Sequence, residues 1–182
     1  MLPWPHPGGP VITADRRARP ENQGIHGRDA GAGAGRLDGV INELPDPVLT
    51  QVYRLKAVPG APLDYGNVPA GHRWVVPLVG GTFTGPELNG NLMPGGSASW
   101  QIVLPDGTAR AEIRYTLQTD RGALVYVRSS GVGQRNVDEH LFHAATRIET
   151  AASYLDWLNK GVFLTVVGRT AVNVLYETYL VG

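Results

Sequence analysis

The chain of 182 residues contains no cysteine. Disulfide bonds, thiolate nucleophiles and thiolate metal sites are therefore excluded, and the absence of disulfides fits the cytoplasm, where we expect the protein to act. An excess of charge of one sign is also missing, because sixteen basic residues balance sixteen acidic ones. A chain without net charge has no global field to attract nucleic acid or an anionic membrane, and we expect neither as a partner.

Long hydrophobic runs are absent as well, and none reaches the ~18 residues that a membrane-spanning helix needs. Charged residues make up only 18% of the chain, whereas glycine contributes 24 residues and proline 14. A composition rich in turn-forming residues and poor in charge is typical of all-β proteins with many short strands. The composition therefore favours an all-β domain.

Residues 1–42 have a different character from the rest of the chain. Four prolines lie within the first ten residues, and residues 31–35 alternate glycine with alanine. No hydrophobic period is visible, so too little apolar surface is available to offset the entropy lost on ordering. We predict an extended or disordered N-terminal arm over 1–42 and a single β-barrel domain over 43–182. An arm that wraps a neighbouring subunit through Trp4 and Ile12 is the alternative, with a homodimer or higher homo-oligomer as its consequence.

The segment 80–100 is the centre of the predicted domain, with six glycines and two prolines between two apolar, strand-like runs. Glycine at such density indicates strands that bend sharply at the rim of a sheet or barrel. The clearest strand is 109–118, where Ala111, Ile113 and Tyr115 alternate with charged residues. Residues 129–136 indicate a polar loop, 139–150 a strand, and 153–160 the one helix-like segment.

Eight or nine strands at short spacing need to hide their edges from solvent. The predicted fold is therefore all-β, a closed antiparallel β-barrel of about eight to nine strands with one short helix near the C-terminal third. A barrel of this size has room for packed side chains or for one small ligand.

Several short motifs along 48–181 resemble the domain-of-unknown-function 3237 family of small β-barrel proteins. The similar stretches are Gly81-Thr82-Phe83-Thr84-Gly85-Pro86, Leu88, Gly90, Gly95-Gly96 before Trp100, Asp106-Gly107, Tyr115-Thr116-Leu117, Thr119-Asp120, Gly122, Glu149-Thr150, and Tyr154 with Trp157-Leu158-Asn159. The resemblance implies an antiparallel barrel that encloses a lumen, and it favours natural-product chemistry without a cofactor. Ser99 departs from the family, whose members often carry aspartate before the tryptophan.

The candidate catalytic residues are Arg147, Glu149 and His143, which share one face of the predicted strand 139–150. An inward arginine would polarise a carbonyl group, and Glu149 or His143 would transfer a proton. The alternative is an outward ion pair on a solvated face. A metal site at His140 and His143 is disfavoured, because residues three apart on a strand point in opposite directions, and we expect no metal and no cofactor.

The candidate substrate-binding residues are polar or aromatic and would line the lumen: Ser99, Trp100, Tyr115, Tyr154, Trp157 and Tyr176. Ordinary core packing is the alternative role for each aromatic ring. The leading hypothesis is a cofactor-free cyclase, hydratase, lyase or isomerase acting on a small, apolar, carbonyl-bearing molecule of polyketide or terpenoid type. The alternatives are a non-catalytic carrier of small hydrophobic ligands and an oligomeric interaction module whose working part is the N-terminal arm.

Overall fold

A computed structural model describes residues 46–134 and 142–182 of the chain. These residues form ten β-strands, one 3₁₀ turn (Ser153–Leu155) and one single-turn helix, α1 (Trp157–Lys160). The strands are β1 (Leu49–Pro59), β2 (Leu63–Val68), β3 (Gly71–Thr84), β4 (Gly90–Leu92), β5 (Ala98–Val103), β6 (Thr108–Thr119), β7 (Leu124–Gln134), β8 (Phe142–Thr150), β9 (Val162–Arg169) and β10 (Val174–Val181). The predicted N-terminal arm over 1–42 lies outside the described residues.

Every strand pairing is antiparallel, and the pairings close on themselves. The order β1-β10-β9-β8-β7-β6-β4-β3 returns to β1 through a ladder in which Ala57 pairs with Gly81. Strand β5 pairs with β3 and β6 beside the short β4, and β2 pairs with the first half of β3. The structure thus confirms the predicted all-β closed barrel, as eight strands with two additional ones and one short helix.

The glycine-rich segment around 80–100 joins strands where the barrel closes. Gly81 has a φ of 148°, and a Cβ atom placed there would lie 2.3 Å from the carbonyl oxygen of Lys56. Only glycine accepts this approach of β1 to β3 without strain. Pro77 lies close to the register shift between Val58 and Pro59 in the β1–β3 ladder.

Several predicted boundaries are wrong. The loop expected over 129–136 is the second half of β7, which pairs with β6 and β8 as far as the structure describes it. Strands β2 and β4 were not predicted, and the expected helix over 153–160 is a 3₁₀ turn followed by a single helical turn. Within the described ranges, no helix has the length and apolar character that a membrane span requires.

The interior of the barrel is filled by side chains from alternate strand positions. Tyr53, Leu55 and Val127 have no accessible surface, and the aromatic and aliphatic residues around them form one core. Leu155 and Leu158, from the 3₁₀ turn and α1, belong to this core. The ligand-holding lumen implied by the family resemblance is therefore occupied by side chains in the middle of the described barrel.

Candidate functional site

The three predicted catalytic residues lie on the outer face of the barrel. His143, Arg147 and Glu149 are all exposed, while Ala144, Thr146 and Ile148, at the alternate positions of β8, point inward and are buried. The inward orientation expected for Arg147 and Glu149 is therefore wrong, because Thr146 and Ile148 take the interior positions of β8. Their catalytic role remains a prediction, without the interior position on which it was based.

Two of the predicted substrate-binding tyrosines do lie inside the barrel. Tyr115 and Tyr176 are buried with their ring centroids 5.5 Å apart, and the Tyr115 hydroxyl lies 2.9 Å from the Tyr53 hydroxyl. Ser99 is also buried, where its Oγ accepts a hydrogen bond of 3.0 Å from Gln101 Nε2. These residues are part of the packed interior.

The remaining predicted aromatics lie in two other places. Tyr154 is exposed near one end of the barrel, with the Arg121 guanidinium 5.2 Å from its ring centre. Trp157 is half-buried, and its ring centre lies 6.3 Å from that of Phe163. Trp100 lies on the outer face of β5, opposite in direction to its neighbour Ser99. The prediction that all six residues line a single pocket is therefore wrong.

A chain of hydroxyl groups crosses the interior from β7 to β10. Ser129 Oγ lies 2.8 Å from Thr146 Oγ1, which lies 2.7 Å from Thr165 Oγ1, and Thr165 Oγ1 lies 2.9 Å from Thr178 Oγ1. All four residues are buried, so these groups satisfy one another where water does not reach. We call them the hydroxyl chain. The hydroxyl chain was not predicted from the sequence, because its contacts depend on the register between neighbouring strands.

The interior tyrosines next to the hydroxyl chain are held in their protonated form. Burial raises the pKa of Tyr53, Tyr115 and Tyr176 above the ordinary value of 10.0, since a phenolate loses its hydration there. Hydrogen bonds from Thr178 and Tyr115 oppose part of the increase in the pKa of Tyr53. At neutral pH these groups are hydrogen-bonding phenols and not bases.

A histidine with polar partners lies at the hairpin between β2 and β3. His72 Nε2 lies 2.8 Å from Asp64 Oδ1, and its Nδ1 lies 3.1 Å from Asn67 Oδ1. Nδ1 makes a hydrogen bond with Asn67, whereas Nε2 is buried and close to the Asp64 carboxylate without a hydrogen bond in the described structure.

The outer face of β3, β5, β6 and β7 carries a cleft of about 350 Å³. Its volume lies in the range typical of sites for small molecules. We call it the outer cleft. Its lining comprises Ala70, Arg73, Trp100, Ile102, Leu104, Arg110, Ala111, Glu112, Ser130, Gly131 and Val132.

Strand register explains how these residues meet. Glu112 pairs with Trp100 on one side and Ser130 on the other, which gives one row across three strands. In the next row, Arg110 lies between Ile102 and Val132. The two rows combine an indole, a carboxylate and a guanidinium with apolar walls.

Glu112 has an enclosed carboxylate oxygen. Its Oε2 is buried and makes no hydrogen bond in the described structure, and Arg128 Nε lies 3.6 Å away, beyond hydrogen-bond distance. A carboxylate oxygen without a donor retains its capacity to accept a proton or a hydrogen bond from a ligand. The Glu112 side chain as a whole is 42% exposed and lines the outer cleft, so its carboxylate is a proton acceptor that a ligand there can reach.

Two arginines, Arg73 and Arg110, line the outer cleft. No carboxylate of residues 46–134 or 142–182 lies within ion-pair distance of Arg73 or Arg110, although Asp106 is close enough to Arg110 to interact electrostatically. Guanidinium groups of this kind can bind and stabilise a developing oxyanion. The alternation in β6 indicated that Arg110 and Glu112 share a face, but the sequence did not show which strands would complete the site.

Three acidic or histidine side chains grouped closely enough to hold a metal ion do not occur in the part of the chain that the structure describes. His140, part of the disfavoured metal alternative, lies outside that part. Within the outer cleft, Glu112 and the arginines are suited to proton transfer and oxyanion binding, and Trp100 offers a flat apolar surface.

The fold and its cleft define a class: a small closed antiparallel β-barrel with a cleft on its outer face that is lined by a carboxylate, two guanidinium groups and an indole. A family model described as "protein of unknown function (DUF3237)" matches residues 47–181, and the chain belongs to this family. The match confirms the resemblance identified from the sequence motifs.

Individual relatives agree with this assignment. A UPF0311 protein of Clostridium acetobutylicum is 30% identical over 62% of this chain and 79% of its own length. The crystal structure of a β-barrel-like protein from Acinetobacter baumannii is 28% identical, with a TM-score of 0.70 over 78% of this chain and 100% of that one. A more distant relative, the hydroalkoxylation enzyme phnH of Penicillium herquei, is 26% identical over 62% of this chain and 69% of its own.

Proposed function

We propose that the outer cleft is the active site of a cofactor-free enzyme that promotes cyclisation, addition or isomerisation. Its substrate is a small, largely apolar, carbonyl-bearing molecule of polyketide- or terpenoid-like chemistry. The observation that carries the proposal is a cleft that combines Glu112 and Trp100 with two arginines, Arg73 and Arg110, which have no carboxylate partner among the described residues. The hydroalkoxylation activity in the name of the Penicillium relative supports an addition reaction.

The residues of the outer cleft suit an intramolecular addition of a hydroxyl group to an alkene conjugated with a carbonyl. Glu112 removes the hydroxyl proton, and the oxygen attacks the β-carbon of the alkene. Arg73 or Arg110 stabilises the negative charge that moves to the carbonyl oxygen as the enolate forms. The proton then returns from Glu112 to the α-carbon, so no group leaves and no oxidant or reductant is required.

Trp100 would hold the substrate in a fixed position within the outer cleft. Its indole forms one wall of the outer cleft, on which a flat conjugated substrate can stack with the reacting oxygen held near the alkene. Holding two reacting groups together in this way is a substantial part of the catalysis available to an enzyme without a cofactor.

The test is the cyclisation of ortho-hydroxychalcone, a flat hydroxyaryl enone whose ring closure changes its ultraviolet absorption. Glu112→Gln removes the base, and we expect kcat/KM to fall about 10²- to 10⁴-fold. The matched control is Glu87→Gln, which alters an exposed carboxylate outside the lining of the outer cleft and should stay within about twofold of the unaltered protein. Equal loss in both variants, or none in Glu112→Gln, would contradict the assignment.

A non-catalytic carrier of small hydrophobic ligands is the second candidate. The exposed positions of Arg147 and Glu149 favour it, since an outward orientation of both residues is what that hypothesis predicts. Calorimetric binding of the chalcone without any acceleration of its cyclisation would support the carrier, whereas acceleration that depends on Glu112 would exclude it.

A further inference from the structure

Three arginines stand side by side on the outer face of neighbouring strands. Arg114 of β6 pairs with Arg128 of β7, and Arg128 pairs with Arg147 of β8. All three residues are exposed. We call them the arginine row.

Such a row is unfavourable in the absence of an anion. Directly opposite residues on antiparallel strands have Cβ atoms about 4.5–5.5 Å apart, and like charges at that distance destabilise the sheet. The described structure provides one carboxylate contact to the row, from Glu112 to Arg128 at 3.6 Å. The positive charge of Arg114 and Arg147 is therefore left without an acidic partner among the described residues.

The arginine row borders the outer cleft. The Arg114 guanidinium lies 5.7 Å from the ring centre of Trp100, and Arg128 Nε lies 3.6 Å from Glu112 Oε2. Both arginines are therefore next to residues that line the outer cleft. Arg73 and Arg110 lie within the cleft itself. Contact with the indole also orients Arg114 before any ligand arrives.

From this arrangement, and resting on the proposed function of the outer cleft, we infer that its substrate is an organic anion. Its flat conjugated part occupies the cleft beside Trp100, and its carboxylate is bound by Arg114 and Arg128. The planar guanidinium group matches a carboxylate in bidentate geometry, which makes arginine suited to this recognition.

The surface around the arginine row suits a small anion better than a nucleic acid. The arginine row borders a cleft of about 350 Å³ with Ile102 and Val132 in its lining, a volume that suits one small molecule. The chain as a whole carries no net charge, whereas nucleic-acid-binding domains are usually basic.

The experiment compares the binding of two probes, ortho-hydroxychalcone with a carboxylate on the ring remote from the hydroxyl, and the methyl ester of the same compound. The two share shape and reactive group and differ in charge. Each is titrated into the full chain and into the double variant Arg114→Gln/Arg128→Gln. The matched control is Arg169→Gln, which removes one exposed arginine at the end of β9. Arg114→Lys tests whether charge alone restores binding.

We expect the unaltered protein to bind the acid about tenfold or more tightly than the ester, with a preference that falls as salt is added. The double variant should lose most of this preference and keep its affinity for the ester, while Arg169→Gln keeps both. Arg114→Lys should retain part of the preference, because it keeps the charge but not the planar fork.

The outcomes separate this inference from the proposed function. Equal affinity for acid and ester in the unaltered protein overturns the anionic substrate and leaves the outer cleft in place. Binding of neither probe overturns the proposed function as well. Displacement of the bound acid by a short single-stranded oligonucleotide at comparable concentration would show a nucleic-acid surface and overturn the small-anion inference.

Discussion

Replacing Thr165 by valine removes the central group of the hydroxyl chain while it preserves the shape of the side chain. Thr165 Oγ1 is bonded to Thr146 at 2.7 Å and to Thr178 at 2.9 Å, and Thr165 is almost completely buried. Valine fills the same volume, so the change leaves no cavity. What is lost is two buried hydrogen bonds.

The size of the effect follows from those two bonds. A buried hydrogen bond contributes about 0.5–1.5 kcal/mol net, so their loss should destabilise the barrel by about 1–3 kcal/mol. Thr146 keeps its bond of 2.8 Å to Ser129, and Thr178 keeps its contact with Tyr53, so neither partner loses every bond. Because each partner keeps one bond, the loss in free energy of unfolding should stay within that range. It should be smaller than the loss for a buried polar group left without any partner.

Urea unfolding measures this difference. We expect the midpoint for Thr165→Val to fall with the slope unchanged, because the surface exposed on unfolding stays the same. The control Thr82→Val alters an exposed strand threonine and should change stability by less than about 0.5 kcal/mol. Combining Thr146→Val with Thr165→Val should cost less than the sum, since the two share one bond. A midpoint for Thr165→Val equal to that of the control would refute this account.

Two other predictions concern the barrel. Because burial raises the pKa values of Tyr115 and Tyr176, the folded protein keeps protons that the unfolded chain loses above pH about 10. Stability should therefore be fully present below that pH and decline above it, by up to about 1.4 kcal/mol per pH unit for each tyrosine, and Tyr115→Phe should make the decline shallower in denaturant titrations at successive pH values. Gly81→Ala should destabilise by more than about 2 kcal/mol in thermal unfolding, because its Cβ would meet the Lys56 carbonyl at 2.3 Å. Gly80→Ala, with open space around its Cβ, is the control, and equal effects of the two would contradict the role of Gly81 in closing the barrel.

Much of the fold could be predicted because period-two alternation is a local property. In β6 the buried Ala111, Ile113 and Tyr115 alternate with Arg110 and Glu112, as the sequence indicated. Closure into a barrel followed from the number of strands and the need to hide their edges. Strand β4 has three residues, too few for a period to be visible.

The second half of β7 was predicted as a loop because serine and glycine there are turn formers. In the barrel, Ser129 bonds to Thr146, and a Cβ at Gly131 would lie 2.4 Å from the carbonyl oxygen of His143. Both residues are needed for the contact with β8, so tertiary packing overrides local preference. No single strand carries that information.

The site was less predictable than the fold. The orientation of β8 was available, because Ile148 between Arg147 and Glu149 indicates that the charged residues face solvent. The outer cleft could not be predicted, since Glu112, Trp100 and Ser130 meet only through the registers of three strands. A shift of one residue in either ladder would place them on opposite faces.

The proposed function requires that ligands bind in the outer cleft and not in the barrel interior. NMR of the protein during titration with ortho-hydroxychalcone distinguishes the two locations, since Ile102 lines the cleft while Ile113 is buried in the core. We predict chemical-shift changes at the Ile102 methyl groups and at the Trp100 indole N–H, with the methyl groups of Ile113 unaffected. Changes centred on Ile113 and Val127, with Ile102 and Trp100 unchanged, would contradict the account.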